Sequence, residues 1–518
     1  MKKKGLILSK VTTNAFYIAL YTIVNLFILL NYNGLYWDDW VAYNQDAQTM
    51  AVFFDMIQHS IKGDFYLILE KFFNHIYAFR VFIFLSYLFV GYFVYVVLVS
   101  TKLVGKNESK FIAFLSVIVP INVAKIYISV APFVFPMLLF YLAFFLLARN
   151  YPIQTKSLKI IILTIFFFSF STNSILVFYA SVLLYLYYMD NGFKFRLDLK
   201  TMVNFVLSRW DFILLPVFYF IYKSLFLVPY GIYENYNGIQ LSFDVIAGNF
   251  LKNIENMVGG LVLSLFDNFH ITIVAIVVSG LVALFFNCNL KIEKINSLVL
   301  FVLSALLFIL ALFPYAAVNK VPVLTGPDSR FALLLGPSLA MLFVSIVSMI
   351  SMLFLRYKQK AFLFLASFLT ILIGSKSMSQ QYDVMLDNFY NVAVVESFKD
   401  SQEIRENTTF VGHYHKYMNY YEWNGMLKKA FGDTKRLMIH PLMIKDLEGG
   451  ADSPLQGSRT HKQYNFYEWD GNTDYKVVFV DKHMNMTPII QAKLMFYYLF
   501  DYDKFKSLAK KLVNVNLA

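Results

Sequence analysis

Two adjacent carboxylates, Asp38 and Asp39, lie in the segment Tyr36-Trp37-Asp38-Asp39-Trp40, directly after the first long apolar run. Neighbouring carboxylates resist double ionisation, so one of them keeps its proton to a higher pH than usual. A carboxylate with such a pKa can take a proton from a hydroxyl group. The alternative is that Trp37 and Trp40 belong to an aromatic belt at a membrane surface, with both aspartates solvated above it.

The elements around this pair are apolar. Of the 518 residues, 58% are hydrophobic and 15% charged, against about 45 to 50% and about 25% in soluble proteins. Several runs reach the roughly 20 residues that a helix needs to cross hydrocarbon. This composition excludes a soluble globular protein and predicts a polytopic membrane protein. Eleven spans are predicted, at 11–31, 80–100, 111–128, 132–148, 160–172, 174–189, 211–228, 269–287, 296–314, 331–353 and 361–375.

The distribution of charge predicts the orientation of these spans. With the N-terminus inside, the inner connections hold 19 basic and four acidic residues, as expected of cytoplasmic loops. The net charge of +12 is therefore a topology signal, and DNA or RNA binding is excluded. The first span has no cleavage site after it and is predicted to be an uncleaved anchor. The C-terminus is predicted to be extracytoplasmic.

The segments predicted on the outer side are 32–79, 229–268, 315–330 and the tail from 376. Residues 255–268 are apolar enough for a twelfth span, but that span would move basic loops outside, so a re-entrant or interfacial helix is predicted. Cys288 is the single cysteine, which excludes an internal disulfide.

Two amphipathic helices are predicted in the first outer loop. Apolar residues recur at helical spacing in 46–59 and again in 64–79, with Lys62-Gly63-Asp64 predicted to separate them. Such helices lie in the membrane interface.

The acidic pair after the first span, the two interfacial helices and the outer C-terminal segment together resemble the GT-C superfamily of membrane glycosyltransferases. The layout, the length and the abundance of Phe, Tyr, Ile, Asn and Lys are most similar to bacterial serotype-converting O-antigen glucosyltransferases. The resemblance implies an all-α polytopic membrane domain over 1–375 and a small α/β extracytoplasmic domain over 376–518. It also implies the bacterial cytoplasmic membrane as location.

The resemblance further implies an inverting transfer of a sugar, such as glucose, from a polyprenyl-phosphate carrier to a cell-envelope glycan such as O-antigen. A flippase and a donor synthase would act upstream. Asp38 is predicted as the base, and Asp39 as the residue that orients it or the acceptor, or binds a divalent metal; the two roles could be exchanged. Tyr36, Trp37 and Trp40 are predicted to line the substrate site.

Cations on the outer side are few, which narrows the search for a donor-phosphate site. Arg330, with Lys320 before it, is the first choice because a guanidinium suits phosphate oxygens; a lipid-headgroup contact is the alternative. Arg80 and Lys125 are second choices, and Lys125 is also typical of a lysine that extends to the membrane surface. Lys223 and Lys252 are weaker candidates.

The C-terminal segment reads as a small α/β unit. Strands are predicted at 409–413, 437–439 and 477–481, and helices at 418–431 and 487–511. His413 and His415 share one strand face, a spacing that can bind a metal, although a coincidental surface pair is the simpler reading.

Three other functions remain open from the sequence. An O-antigen polymerase or ligase would use similar lipid-linked substrates. A transporter or flippase would be expected to carry internal repeats and charges at the membrane midplane, which the sequence does not show. A structural anchor would not need eleven spans.

Overall fold

The computed structural model describes residues 14–44, 47–73, 76–196, 198–230, 238, 242–286, 294–414, 418–447 and 468–518. These residues are mostly helical, with one small sheet in the C-terminal part, in agreement with the predicted fold class. The helices are α1 Asn14–Val24, α2 Leu26–Leu30, α3 Asp39–Asn44, α4 Ala47–Met56, α5 Ser60–Phe73, α6 Ile76–Thr101, α7 Lys106–Ile118, α8 Ala131–Arg149, α9 Lys156–Ser169, α10 Asn173–Phe178, α11 Ala180–Asp190, α12 Leu199–Ser208, α13 Trp210–Phe226, α14 Phe243–Ile254, α15 Leu261–Leu265, α16 Phe269–Phe285, α17 Lys294–Ala317, α18 Leu335–Met352, α19 Lys358–Asp400, α20 Gln402–Glu406, α21 Tyr420–Phe431, α22 Ile444–Leu447, α23 Pro488–Phe500 and α24 Tyr502–Ala509.

Five helical segments of the described chain are long and apolar enough to cross a membrane: α6, Ile128–Arg149, Ser297–Ala317, α18 and α19. The number becomes seven if each of two bent pairs counts as one span. One pair is α12 with α13, at 65°, and the other is Phe243–Leu265 with α16, at 77°. The second bend lies at the predicted re-entrant segment and has the geometry of either a broken span or a re-entrant loop. The count of eleven spans stays a prediction.

The third predicted span, 111–128, is interrupted in the structure. Helix α7 ends at Ile118, and Pro120 follows, which disfavours the helical conformation of the residue before it. Residues 123–130 form two short 3-10 turns. With about 1.5 Å of rise per residue, α7 covers less than the roughly 30 Å of hydrocarbon. Lys125 therefore lies in a turn rather than late in a spanning helix.

After the short helix α3, the first outer loop contains the two predicted helices as α4 and α5, with bounds that differ from the prediction. Lys62 and Gly63 lie inside α5, and the chain turns instead at Gln58, which has a positive φ of 64°. Gly63 serves close packing of the two helices, because a Cβ there would lie 3.0 Å from the Ala51 carbonyl oxygen. Residues 76–79 belong to α6.

The sheet of the C-terminal part has the order β2-β1-β3-β4, with β1 Thr409–Tyr414, β2 Leu437–Ile439, β3 Lys476–Lys482 and β4 Val513–Leu517. Strand β1 is parallel to β2 and β3, while β4 is antiparallel to β3. The first three strands match the prediction, and β4 was missed. The predicted helix 487–511 is two helices, because the chain breaks at Asp501, whose side chain accepts a hydrogen bond from the Lys504 amide at 3.2 Å.

Helix α19 joins the membrane part to the sheet without a break, since it continues from residue 358 to residue 400 across the predicted boundary at 375/376. Phe389 of this helix packs against Tyr498 and Phe505, with ring centroids 5.4 and 5.0 Å apart. The Tyr498 hydroxyl accepts a hydrogen bond from the Asn33 amide at 3.2 Å. The C-terminal part is thus attached to the loop that carries the acidic pair.

Candidate active site

The turn before the acidic pair is tightly constrained. Trp37 has a φ of 48°, a conformation that a large side chain rarely adopts and that is typical of functional sites under strain. Asn31 donates a side-chain hydrogen bond to the Tyr36 hydroxyl. A Cβ at Gly34 would lie 2.2 Å from the Asn31 Oδ1. Only glycine fits there, so the backbone leading into the pair has little freedom.

Asp39 is fully buried and fixed by backbone donors. Its Oδ1 accepts from the Ser129 amide at 2.9 Å, and its Oδ2 accepts from the Tyr36 amide at 3.3 Å. Burial raises the pKa of Asp39 to about 6, while the Arg80 charge and the Ser129 hydrogen bond act in the opposite direction. Asp39 therefore anchors the turn to the segment before α8.

Arg80 is also fully buried, and its guanidinium donates hydrogen bonds to backbone carbonyl groups. Its Nη2 donates to the Gly34 carbonyl at 2.5 Å and its Nη1 donates to the Ile126 carbonyl. Its positive charge lowers the pKa of Asp39 against the effect of burial. This geometry favours a role in positioning the acidic turn, whereas phosphate binding by Arg80 stays a prediction.

Asp38 has a different environment, because it remains partly exposed. Burial raises the pKa of Asp38 to about 7, and the charge of Arg330 and a hydrogen bond from the Tyr421 hydroxyl limit the rise. The nearby carboxylates of Asp39 and Glu422 add to it. Asp38 is thus the accessible member of the pair, with a pKa suited to accepting a proton near neutrality.

Arg330 lies close enough to Asp38 for its charge to lower the pKa of that carboxyl; its donor-phosphate role stays a prediction. Its Cζ is 4.4 Å from the centroid of the Trp37 ring and 4.6 Å from that of Phe331. Its Nη1 lies 3.2 Å from the exposed carboxylate of Asp328. The Lys320 Nζ also lies over the Phe331 ring, 5.3 Å from its centroid. The structure therefore brings Arg330 and Lys320 together around the Phe331 ring, and the charge of Arg330 acts on Asp38.

Lys125 lies elsewhere. Its Nζ donates to the Asn25 Oδ1 at 2.7 Å, between α1 and α2, and is 5.7 Å from the Tyr87 ring. Burial lowers the pKa of Lys125 to about 7. These contacts are with α6 and the break in the first helix, so its predicted phosphate role lacks a visible link to Asp38.

The three aromatic residues predicted to line the site differ in accessibility. Tyr36 and Trp40 are buried, at 6% and 1% exposure. Tyr36 packs on Tyr127 at 5.5 Å, and Trp40 lies 5.6 Å beneath the Lys429 ammonium. Trp37 is partly exposed, so it is the member of this set that a substrate can touch directly.

Two residues of the site, Tyr421 and Glu422, escape the sequence analysis. They begin α21 of the C-terminal part, which packs on α3. Glu422 accepts from the Trp37 amide through Oε1 at 3.2 Å and from the Asn419 amide through Oε2 at 2.8 Å. The pattern Asn419-x-x-Glu422 indicates a helix start. Nothing in the sequence indicates that this helix covers a loop almost 400 residues earlier.

The acidic pair is poorly suited to hold a metal. Both Asp39 oxygens accept backbone hydrogen bonds, and both Glu422 oxygens do the same. Across the described chain there is no group of three or more His, Cys, Asp or Glu side chains arranged to hold a metal ion. No step of the chemistry below is therefore routed through a metal.

Two other polar side chains of the described chain, Asp267 and His413, have partners of their own. Asp267 is paired with Lys376, and the His413 ring stacks on Phe479 with centroids 5.2 Å apart. His415 lies outside the described residues.

No known family model matches the chain, and no curated protein matches it. Among solved structures, the crystal structure of ArnT from Cupriavidus metallidurans in the apo state aligns over 94% of this chain and 95% of that one, at 11% sequence identity and a TM-score of 0.39. Similarity at this level carries no argument about fold or activity. The functional assignment therefore depends on the residues of the site.

Proposed function

We propose that this protein is a polytopic membrane glycosyltransferase that moves a sugar from a polyprenyl-phosphate carrier to a hydroxyl group of a cell-envelope glycan. The observation that supports it is the pair of unlike carboxylates. Asp39 is buried and fixed, whereas Asp38 is partly exposed with a pKa raised to about 7 and has a guanidinium beside it. A transfer from a phosphate leaving group to a hydroxyl uses a base for the hydroxyl proton and a cation for the charge on the phosphate.

In the proposed reaction, the oxygen of the acceptor hydroxyl attacks the anomeric carbon of the sugar while Asp38 accepts the proton of that hydroxyl. The bond between that carbon and the carrier phosphate breaks, and the electron pair leaves with the phosphate oxygen. Arg330 and Lys320 stabilise the added negative charge. Attack opposite the leaving group inverts the anomeric configuration. Asp39 and Arg80 hold the turn that presents Asp38.

The finer assignments belong to the same proposal. The sugar is a hexose such as glucose, the acceptor is a glycan such as O-antigen, and the site faces the outer side of the bacterial cytoplasmic membrane. The C-terminal part covers the acidic turn through α21, which suits a role in acceptor recognition. A donor synthase and a flippase supply the lipid-linked sugar.

The test is transfer by purified protein from a synthetic polyprenyl-phosphosugar to isolated O-antigen glycan. Asp38→Asn should lower the rate about 100- to 10,000-fold, the usual contribution of a general base. The matched control is Asp55→Asn, which changes an exposed carboxylate of α4 and should leave the rate unchanged.

Full activity of Asp38→Asn, Asp39→Asn and the double variant would contradict the proposal. Movement of the lipid-linked sugar across proteoliposomes without transfer would indicate a transporter instead. Transfer of preassembled glycan chains rather than single sugars would indicate a polymerase or ligase.

A further inference from the structure

A cavity of about 110 Å³ lies among helices α6, α8, α11, α17 and α18. Its wall consists of apolar and hydroxyl-bearing side chains, such as Leu98 of α6, Tyr141 of α8, Ser181 of α11, Leu307 of α17 and Met341 of α18. No charged side chain of the described residues lines it. Apolar cavities of such a size stay free of water and accept apolar guests. In a membrane protein, the guest that suits this wall is a hydrocarbon chain.

The mouth of the cavity lies at the end of α6 opposite Arg80. Thr101, the last residue of α6, lines the cavity together with Leu103 and Phe195. With 1.5 Å of rise per residue, Thr101 lies roughly 30 Å along α6 from Arg80, which holds the acidic turn through the Gly34 carbonyl. Phe195 is 40% exposed, so the cavity opens to the protein surface there. The mouth is thus separated from the candidate active site by about the thickness of the hydrocarbon core.

Helix α12 marks the membrane surface at this end of the protein. It begins four residues after Phe195 and is bent by 65° from α13. None of its residues is buried, and its apolar side chains are exposed at helical spacing, at Leu199, Met202, Val203, Val206 and Leu207. A helix of this kind lies in the interface with its apolar face toward the acyl chains. The mouth of the cavity is therefore at the depth of the lipid headgroups.

Three exposed cations border the mouth. Lys102 directly follows α6, and Lys194 and Arg196 stand on either side of Phe195. The two segments are in contact, because the Lys102 Nζ lies over the Phe193 ring, 4.0 Å from its centroid. Basic residues at the mouth of an apolar cavity are complementary to a lipid that carries a negative headgroup on apolar chains.

The carboxylates near the mouth compensate these cations only in part. Asp190, at the end of α11, is paired with Arg209 at 2.6 Å. Asp198 caps the start of α12 and interacts with the charge of Arg196. Glu108 is buried in the first turn of α7. The mouth therefore keeps more positive than negative charge.

We propose that the cavity binds one acyl chain of an anionic phospholipid, whose phosphate lies on Lys102, Lys194 and Arg196. The lipid comes from the leaflet predicted to be cytoplasmic. It fills the space between the helices and joins the loop after α11 to the end of α6. Because it binds the folded protein and not the unfolded chain, it raises stability by mass action. This binding goes beyond the proposed transfer reaction and does not depend on it.

The test is native mass spectrometry and thermal unfolding of the purified full chain in detergent, with dioleoyl phosphatidylglycerol or dioleoyl phosphatidylcholine added. The two lipids have the same chains and differ in the net charge of the headgroup. Each cation beside a lipid phosphate contributes roughly fivefold in affinity. The wild type should therefore bind phosphatidylglycerol at least about 10-fold more tightly than phosphatidylcholine, and phosphatidylglycerol should raise the melting temperature more.

Variants of the three cations test the headgroup contact. Lys102→Gln should bind phosphatidylglycerol roughly fivefold more weakly, and the triple variant Lys102→Gln, Lys194→Gln and Arg196→Gln should bind the two lipids equally. These side chains are exposed, so the variants should melt as the wild type does without lipid. Arg356→Gln, which changes an exposed cation between α18 and α19, is the matched control and should keep the wild-type preference.

Ser181→Leu tests the cavity itself. The Ser181 hydroxyl has no hydrogen-bond partner among the described residues. Leucine removes this unpaired group and fills the cavity, so the melting temperature without lipid should stay the same or rise. Binding of both lipids should fall by more than about tenfold, because several methylene groups lose their burial. If this variant does not fold, the exposed cation variants decide.

Three results would overturn the inference. The first is equal affinity of the wild type for the two phospholipids, and the second is phosphatidylglycerol binding that the triple variant or a folded Ser181→Leu leaves unchanged. The third is displacement of phosphatidylglycerol by an equal concentration of farnesyl phosphate, which would assign the cavity to an isoprenoid lipid instead. The transfer assay with the Asp38 variants remains an independent test of the proposed function.

Discussion

The ionisation of Asp38 leads to a quantitative prediction for the pH dependence of transfer. If Asp38 must be deprotonated to act as base, the rate follows the ionised fraction of this residue. With its pKa raised to about 7, kcat/KM should rise with pH, reach half its plateau near pH 7 and level off above it. At pH 5, two units below the pKa, about 1% of the molecules are ionised, so the rate should be roughly 100-fold below the plateau.

Variants of the neighbours should move this midpoint in a defined direction. The charge of Arg330 and the hydroxyl of Tyr421 both lower the pKa of Asp38 against the effect of burial. Arg330→Gln should therefore shift the midpoint to higher pH, and Tyr421→Phe should shift it in the same direction by less. Asp55→Asn, on the exposed side of α4, should not move it.

The assay is transfer from a synthetic polyprenyl-phosphosugar between pH 5 and 9, at donor concentrations well below KM. Working at low donor concentration makes the profile report the free enzyme. Two results would refute the reasoning: a midpoint that Arg330→Gln leaves in place, or an Asp38→Asn variant that retains the wild-type plateau.

Three further predictions concern stability near the pair. Asp39→Asn keeps one acceptor oxygen where two backbone N–H groups need acceptors, so it should lower the unfolding free energy by about 1 to 3 kcal/mol, whereas Asp38→Asn should melt close to wild type. Gly34→Ala places a methyl group 2.2 Å from a side-chain oxygen and should lower the melting temperature and the yield, while Gly248→Ala, which meets nothing within 4 Å, should not. Glu422→Ala removes acceptors from two backbone amides; it should lower the unfolding free energy by the ~1 kcal/mol of a lost cap and should also reduce kcat.

Some features of the site follow from local sequence. Asp38 and Asp39 are conspicuous because two charges directly after an apolar run are costly unless they are used. Arg330 is identifiable because cations on the predicted outer side are few. The strands at 409–414, 437–439 and 476–482 follow from short apolar runs. Each of these signals depends on residues close together in the chain.

Other features depend on contacts that no local pattern records. Lys62 looked like part of a helix break because Gly63 follows it, but the glycine permits α5 to approach the Ala51 backbone, and this packing buries Lys62. Tyr421 and Glu422 reach the acidic turn only because α19 carries the C-terminal part back over the first loop.

The sequence alone therefore determined that the chain is apolar and helical, that its C-terminal part contains a sheet, and that an acidic pair follows the first apolar run. Hydrophobic periodicity and charge placement are local properties, so they can be read directly. The tertiary structure decided which carboxylate is fixed and which is accessible, because burial and hydrogen bonding come from distant segments. The same packing decided which cations act on the acidic pair, since electrostatic effects depend on distance in space rather than along the chain.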